Sequence, residues 1–188
     1  MKFTELELKG AYLIEIQKIE DDRGFFGRSW CHNEFQEHGL NPNIKQINTS
    51  LTKKKGTIRG MHYQVDPYQE TKFVRCTSGR IFDVIIDLRP ESPTFMQWSG
   101  NELSSDNYRM VYVPGNFAHG FISLEDDSEI YYPVTEFYTP GAERGIRFDD
   151  PAFNIKWPVP VSVVSEKDSN HPPFDLNTFQ KPLNKPKP

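Results

Sequence analysis

Cysteine is scarce. Cys31 and Cys76 are the only two in 188 residues, and no Cys-x-x-Cys spacing occurs, so neither a disulfide framework nor a zinc knuckle is indicated. Both are expected as small core residues. Positive charge is not in excess either: a formal net charge of -4 and a pI near 5.8 argue against a general electrostatic hold on nucleic acid. The one basic run, Lys53-Lys54-Lys55, precedes Gly56 and reads as a solvated turn. Long apolar runs are also missing: Met1 to Leu8 lacks the core of a signal peptide, and no later segment is apolar for long enough to span a bilayer. These absences predict a cytoplasmic protein with neither nucleic acid nor membrane as a partner.

At 36% hydrophobic content the chain can fill one core but hardly two, which predicts a single domain over residues 1–180. Residues 181–188 are mostly proline and lysine and are expected to be a disordered tail. Long helical periodicity is absent too. Ser29 to Gly39 is the best helix candidate, and it is short. Phe3 to Ile19 holds short apolar stretches that suit strands, able to pair within a sheet or across a dimer. Asp21-Asp22-Arg23-Gly24 reads as a turn, and Phe25 to Trp30 as a returning strand.

From Ile44 onward the pattern is strand after strand, with turn signals at Lys54-Lys55-Gly56, Asp66-Pro67, Ser78-Gly79, Arg89-Pro90, Pro114-Gly115 and Asp126-Asp127. That spacing predicts an all-β sandwich or barrel. In residues 81–88, Phe82, Val84, Ile86 and Leu88 share one parity and should enter a core, while Asp83 and Asp87 should face a cavity or solvent. Tyr132, Val134, Glu136 and Tyr138 also share a parity, which puts both phenols on one side. Beyond Pro140 the chain reads as loop.

The stretch Arg59-Gly60-Met61-His62-Tyr63-Gln64 organises the functional reading. Gly60 permits close backbone approach, and alternation places Gly60, His62 and Gln64 on one face and Arg59, Met61 and Tyr63 on the other. An imidazole is thereby presented inside a β-walled cavity. Together with Asp22-Arg23-Gly24-Phe25-Phe26, Gln46-Ile47-Asn48, Lys72-Phe73-Val74-Arg75, Asp83 to Arg89, Ser92-Pro93-Thr94-Phe95, Phe117 to Phe121 and Ser165-Glu166-Lys167-Asp168, this stretch resembles the dTDP-4-dehydrorhamnose 3,5-epimerase family. The resemblance runs from about Asp21 to Asp168.

It implies a cupin-type jelly roll, a homodimer, no cofactor, and epimerisation of a nucleotide-linked 4-keto-6-deoxyhexose at C3, C5 or both. By carry-over His62 is the base, Asp168 its partner, Lys72 the cation at the C4 oxygen and Tyr132 the acid on the far face of the ring. These residue types suit the reaction, which removes a carbon-bound proton and holds negative charge on a ketone oxygen. Arg23, Gln46, Asn48, Arg59, His119, Glu143 and Lys167 fall on positions resembling the family's nucleotide, phosphate and sugar contacts, and Tyr138 on the tyrosine that stacks on the base. His119 is equally read as a structural histidine bonded to Asp83.

Two departures stand out. Arg28 replaces a glutamate common in the family, which predicts a contact to nucleotide or to a neighbouring acidic residue. Pro133 follows the presumed acid, and a strand proline marks an edge or bulge. A metal is not expected, because Gln64 occupies the second place of the cupin His-x-His pair and only His119 remains as a further ligand. Alternatives are a 3- or 5-monoepimerase or ketoisomerase on the same scaffold, and a sugar-nucleotide binding module without catalysis.

Overall fold

The computed structural model describes residues 1–182, so of the expected tail residues 183–188 lie outside the described residues. Along the chain come β1 (Lys2–Glu5), β2 (Tyr12–Glu15), β3 (Ile19–Asp21), β4 (Gly24–Phe26), α1 (His32–Glu37), β5 (Gln46–Thr52), β6 (Thr57–Gln64), β7 (Lys72–Ser78) and β8 (Arg80–Asp87). They are followed by β9 (Trp98–Ser104), β10 (Met110–Val113), β11 (Phe117–Ser123), β12 (Ser128–Val134), β13 (Glu143–Gly145), β14 (Val163–Val164) and α2 (Glu166–Ser169). The six turn signals all fall at strand ends, because Gly, Pro and Asp supply the backbone angles that reverse a strand.

Among the described residues all strands but β3 and β4 form two large sheets, as the expected jelly roll requires. One runs β1-β2-β10-β7-β12-β5; the other runs β13-β6-β11-β8-β9, with β14 parallel to β6. Val74, Val111 and Ile130 of the first pack against Ile81, Ile85 and Phe121 of the second, all nearly or fully shielded from water. Each sheet is also covered outside. Phe35 of α1 closes over Phe73, Ile14 and Tyr112. Ile146, Phe153 and Phe179 close over Met61, Val84, Ile86 and Ala118. The segment beyond Pro140, expected as loop, therefore carries β13, β14 and α2 and seals a sheet face. Short pieces with few apolar residues gave no periodicity from which to read this.

Other expectations need correction. The strand from Phe25 stops at Phe26, within a β3–β4 hairpin that belongs to neither large sheet. Cys76 is core, where burial pushes its thiol up to about 11, but Cys31 is half-buried at the start of α1. Pro133 marks neither edge nor bulge: β12 lies between β7 and β5, and Tyr132, Pro133 and Val134 pair in register with Asn48, Ile47 and Gln46. On the other side the β7 ladder joins Tyr131 and Val134 and skips the two residues between, so the missing N–H breaks no recorded pair.

Asp87 faces neither cavity nor solvent. It is fully buried at the end of β8, accepting hydrogen bonds from Arg89 Nε at 2.9 Å and Nη2 at 2.7 Å, Ser92 Oγ at 2.5 Å and Thr94 Oγ1 at 2.7 Å. Burial alone would raise its pKa, but these donors together hold it below the usual carboxylate range. Asp87→Ala takes away the carboxylate that the guanidinium and both hydroxyls share, leaving Arg89 with the Lys9 carbonyl and the two hydroxyls with each other. The expected loss is about 3–5 kcal/mol in urea unfolding, and a loss under about 1 kcal/mol would show that the knot is dispensable.

Candidate active site

β6 places the site through an irregularity at Gly60. Met61 and Tyr63 point into the outer core and His62 into the space between the sheets, as alternation predicts. Arg59 should then follow Met61, but it lines the same cavity as His62. The reason lies in the pairing with β11: His119 stands opposite His62 and Phe121 opposite Arg59, so three steps on β6 match two on β11. This bulge turns Arg59 inward. Gly60 adopts φ +108, and a Cβ there would stand 2.7 Å from Gly120 Cα and from the His119 carbonyl oxygen. Only glycine fits.

His62 Nε2 donates to Asp168 Oδ1 at 2.7 Å, and the Gly60 N–H donates to Asp168 Oδ2 at 3.1 Å. Asp168 is held by α2, where Ser165 caps the helix by accepting from the Asp168 N–H at 3.0 Å. Burial pushes the Asp168 carboxyl upward, yet the His62 bond and charge and the Gly60 donor outweigh it, leaving its pKa lowered. The carboxylate is ionised at neutral pH, and with Nε2 committed to it, Nδ1 is the basic nitrogen of His62.

A second histidine sits beside the first. His119 Nε2 lies 2.6 Å from buried Asp83 Oδ1, and its ring lines the cavity. Both readings of His119 thus describe compatible features of one residue. Lys72 is only 5% exposed and forms an ion pair with Glu70 at the cavity wall. Tyr132 lines the same wall. Burial, then the charge of Glu70, raises its pKa, with Arg59 opposing, so the phenol keeps its proton at neutral pH.

Toward the opening, Arg59 donates through Nε to Thr52 Oγ1 and through Nη2 to the Leu51 carbonyl, both at 3.0 Å, which fixes the guanidinium plane. Gln46 Oε1 accepts the Tyr138 N–H at 2.6 Å, and Lys167 pairs with Glu143 at 2.6 Å. The Tyr138 ring is 58% exposed. The cavity holds about 540 Å³ and is lined by every expected site residue except Arg23. Arg23 sits at the tip of the β3–β4 hairpin, paired with Asp21 and 90% exposed. Arg28 meets an acidic neighbour rather than the cavity: its Nη1 is 3.0 Å from Glu34 Oε1, and the Met1 ammonium takes the other oxygen.

Sequence reasoning missed Glu70, Ser165 and His171. Glu70 had a signal, an opposite charge two residues before Lys72 at a strand start. Ser165 had one in its serine-x-x-aspartate cap spacing. His171 had only its spacing of three from Asp168, which puts it within 3.8 Å of that carboxylate, and nothing in the sequence brings it to His62. It corrects the ligand count: among the described residues His62, Asp168 and His171 form a group able to hold a metal ion.

Comparison with known proteins agrees with this geometry. The family model described as dTDP-4-dehydrorhamnose 3,5-epimerase matches residues 5–175. A dTDP-4-dehydrorhamnose 3,5-epimerase of Pseudomonas aeruginosa is 42% identical over 182 residues, covering 95% of this chain and 99% of that one. The crystal structure of the enzyme of that name from Elizabethkingia anophelis superposes with a TM-score of 0.90 at 38% identity, covering 93% of this chain and 96% of that one. A 3'-monoepimerase from Streptomyces bikiniensis, solved with dTDP-quinovose, gives a TM-score of 0.82 at 29% identity, covering 89% of this chain and 85% of that one.

Proposed function

This chain belongs to the dTDP-4-dehydrorhamnose 3,5-epimerase family, and from that premise we propose how its own residues carry the reaction. It is an isomerase that epimerises a nucleotide-linked 4-keto-6-deoxyhexose. The observation that carries the assignment of roles is the meeting of the His62–Asp168 pair, Lys72 and Tyr132 in one cavity. His62 Nδ1 removes the proton from the carbon beside the C4 ketone. Asp168 holds the ring and balances the imidazolium. Lys72, desolvated beside Glu70, meets the oxygen on which enolate charge develops, a donor already in place before reaction. Tyr132 returns a proton to the opposite face and becomes the phenolate that solvent reprotonates.

Arg59, Lys167 and the amides of Gln46 and Asn48 are proposed contacts to diphosphate and sugar, Arg59 because its fixed plane suits phosphate oxygens. Tyr138 is proposed to stack on the base. Tyr138→Ala is expected to raise KM roughly tenfold with kcat kept, the size of one base–aromatic stack; steady-state kinetics with the dTDP-sugar checks it, and an unchanged KM removes Tyr138 from the binding site.

We further propose a cytoplasmic homodimer. Among the described residues no helix is long and apolar enough to cross a membrane. β5 is a sheet edge, it exposes Ile47 and Leu51, and the hairpin exposes its facing pair Ile19 and Phe26. Exposed apolar edges of this kind call for a partner. A second copy is also the simplest source of an Arg23 at the cavity, since this chain keeps its own outside. Sedimentation of the full chain, with Phe26→Asp as comparison, tests the dimer.

The same fold serves the Streptomyces bikiniensis 3'-monoepimerase, so inversion at C3 alone is the second reading. Incubation with dTDP-4-keto-6-deoxyglucose in deuterated water, followed by NMR at C3 and C5, decides. Exchange and inversion at both carbons is the expected result.

A further inference from the structure

We propose that His62, Asp168 and His171 form a site for a divalent cation of the zinc class, and that filling it switches the epimerase off. The proposal rests, for its effect on turnover, on His62 as the base; the site itself rests on geometry.

One donor atom from each of the three residues can be chosen so that all lie within 4.8 Å of one another. Asp168 Oδ1 is 2.7 Å from His62 Nε2 and 3.8 Å from His171 Nε2. A tetrahedral ion with bonds of about 2.0–2.2 Å needs its donors roughly 3.3–3.6 Å apart, a value between those two distances. Closing the set around one ion also requires the His62 and His171 donors to draw together from a separation of up to 4.8 Å, which rotation of the two imidazoles supplies.

His171 is held for such a contact. Its ring lies where a side chain on Gly145 would have to stand, and the two rings of His62 and His171 meet at 79° with centroids 6.1 Å apart. His171 Nε2 is buried without a hydrogen-bond partner, which is unusual for an imidazole nitrogen beside a carboxylate. Two imidazole nitrogens and one carboxylate oxygen select zinc, cobalt or nickel over magnesium or calcium, and leave the fourth position to water. His62 and Asp168 line the cavity and His171 does not, so an ion arrives through the cavity and seats itself behind the base.

The consequence for catalysis follows from tautomers. An ion on Nε2 displaces the proton that this nitrogen donates to Asp168, and the neutral ring then carries its single proton on Nδ1 instead. Nδ1 is the atom that must accept the substrate proton. The base is therefore blocked while Arg59, Tyr138 and the other binding residues stay as they were, so kcat should fall with KM nearly constant.

The test uses the full chain, freed of metal with a chelator and then titrated with ZnCl2 or CoCl2. One Co2+ per chain should bind with the intense visible bands of a four-coordinate ion, and one Zn2+ per chain should lower kcat at least tenfold, reversed by chelator. His171→Asn, with His171→Gln as a second variant, should turn over like the parent, lose the cobalt bands and ignore stoichiometric zinc. Absence of binding in the parent, or equal binding in both variants, overturns the site. Binding that requires His171 but leaves turnover intact overturns the switch and moves the fault to the assignment of His62 as base.

Discussion

His62→Ala is expected to stop deuterium wash-in at both C3 and C5, with losses on the order of 10²–10⁴ in kcat, while binding of dTDP stays within about a factor of two. On the proposed roles the base acts on a bond that changes only in the transition state, and the proposed nucleotide contacts lie elsewhere in the cavity. Because Asp168 works through His62, the double variant His62→Ala/Asp168→Ala should be no slower than the single one. Stability separates the pair further. Removing the histidine alone leaves a buried carboxylate without its charged partner, held by the Gly60 and Ser165 donors, a loss of about 3–5 kcal/mol when one member of a buried pair goes. The double variant removes that orphan charge and should recover part of the loss in urea unfolding.

The pH dependence of stability gives a sign that can be read independently. The Asp168 carboxyl is depressed in the fold, so its contribution is present above the unfolded carboxylate pKa and is lost as pH falls through the folded value. In His62→Ala the main lowering influence is gone, and acidification should instead relieve the variant by protonating the orphan. Wild-type exchange rates in His62→Ala, or a double variant much slower than the single, would remove His62 from the role of base.

What could be read from residues alone divides along physical lines. Strand punctuation was legible because turns demand particular residues, and Ser78-Gly79 or Asp126-Asp127 state that demand locally. The grouping of His62, Lys72, Tyr132 and Asp168 was legible only as a resemblance, since no period links residues separated by 106 positions. Arg59 facing the cavity was legible from the resemblance but not from strand alternation: a bulge is a property of two strands in register, and only β11 reveals it. His171 was hidden for a similar reason. Pro133 read as an edge or bulge because one residue's lost N–H does not reveal that β5 pairs in register straight through it.

That in-register passage through Pro133 sharpens the expectation for the acid. Tyr132 is paired with Asn48 and lines the cavity with His62, so no local distortion turns the phenol away. Tyr132→Phe keeps the ring and its packing and removes only the donor. The base and the Lys72 contact remain, so the enolate still forms, and deuterium should continue to enter from the His62 side with retention of configuration. Inverted product should fall about a hundredfold or more, the size of a general-acid contribution. Retention and inversion are both read from one NMR time course in deuterated water, which makes the ratio insensitive to how much variant is folded. A low pH should not rescue inversion in the variant, because phenylalanine has no proton to deliver; the wild-type phenol does, since burial and the nearby charge of Glu70 keep it protonated at neutral pH. If Tyr132→Phe inverts at the parent's rate, the proton comes from water or from another cavity residue. The nearest test is then Glu70→Gln, since Glu70 lines the same wall: loss of inversion with deuterium exchange kept marks Glu70 as the donor, whereas loss of both marks the Lys72 with which it pairs.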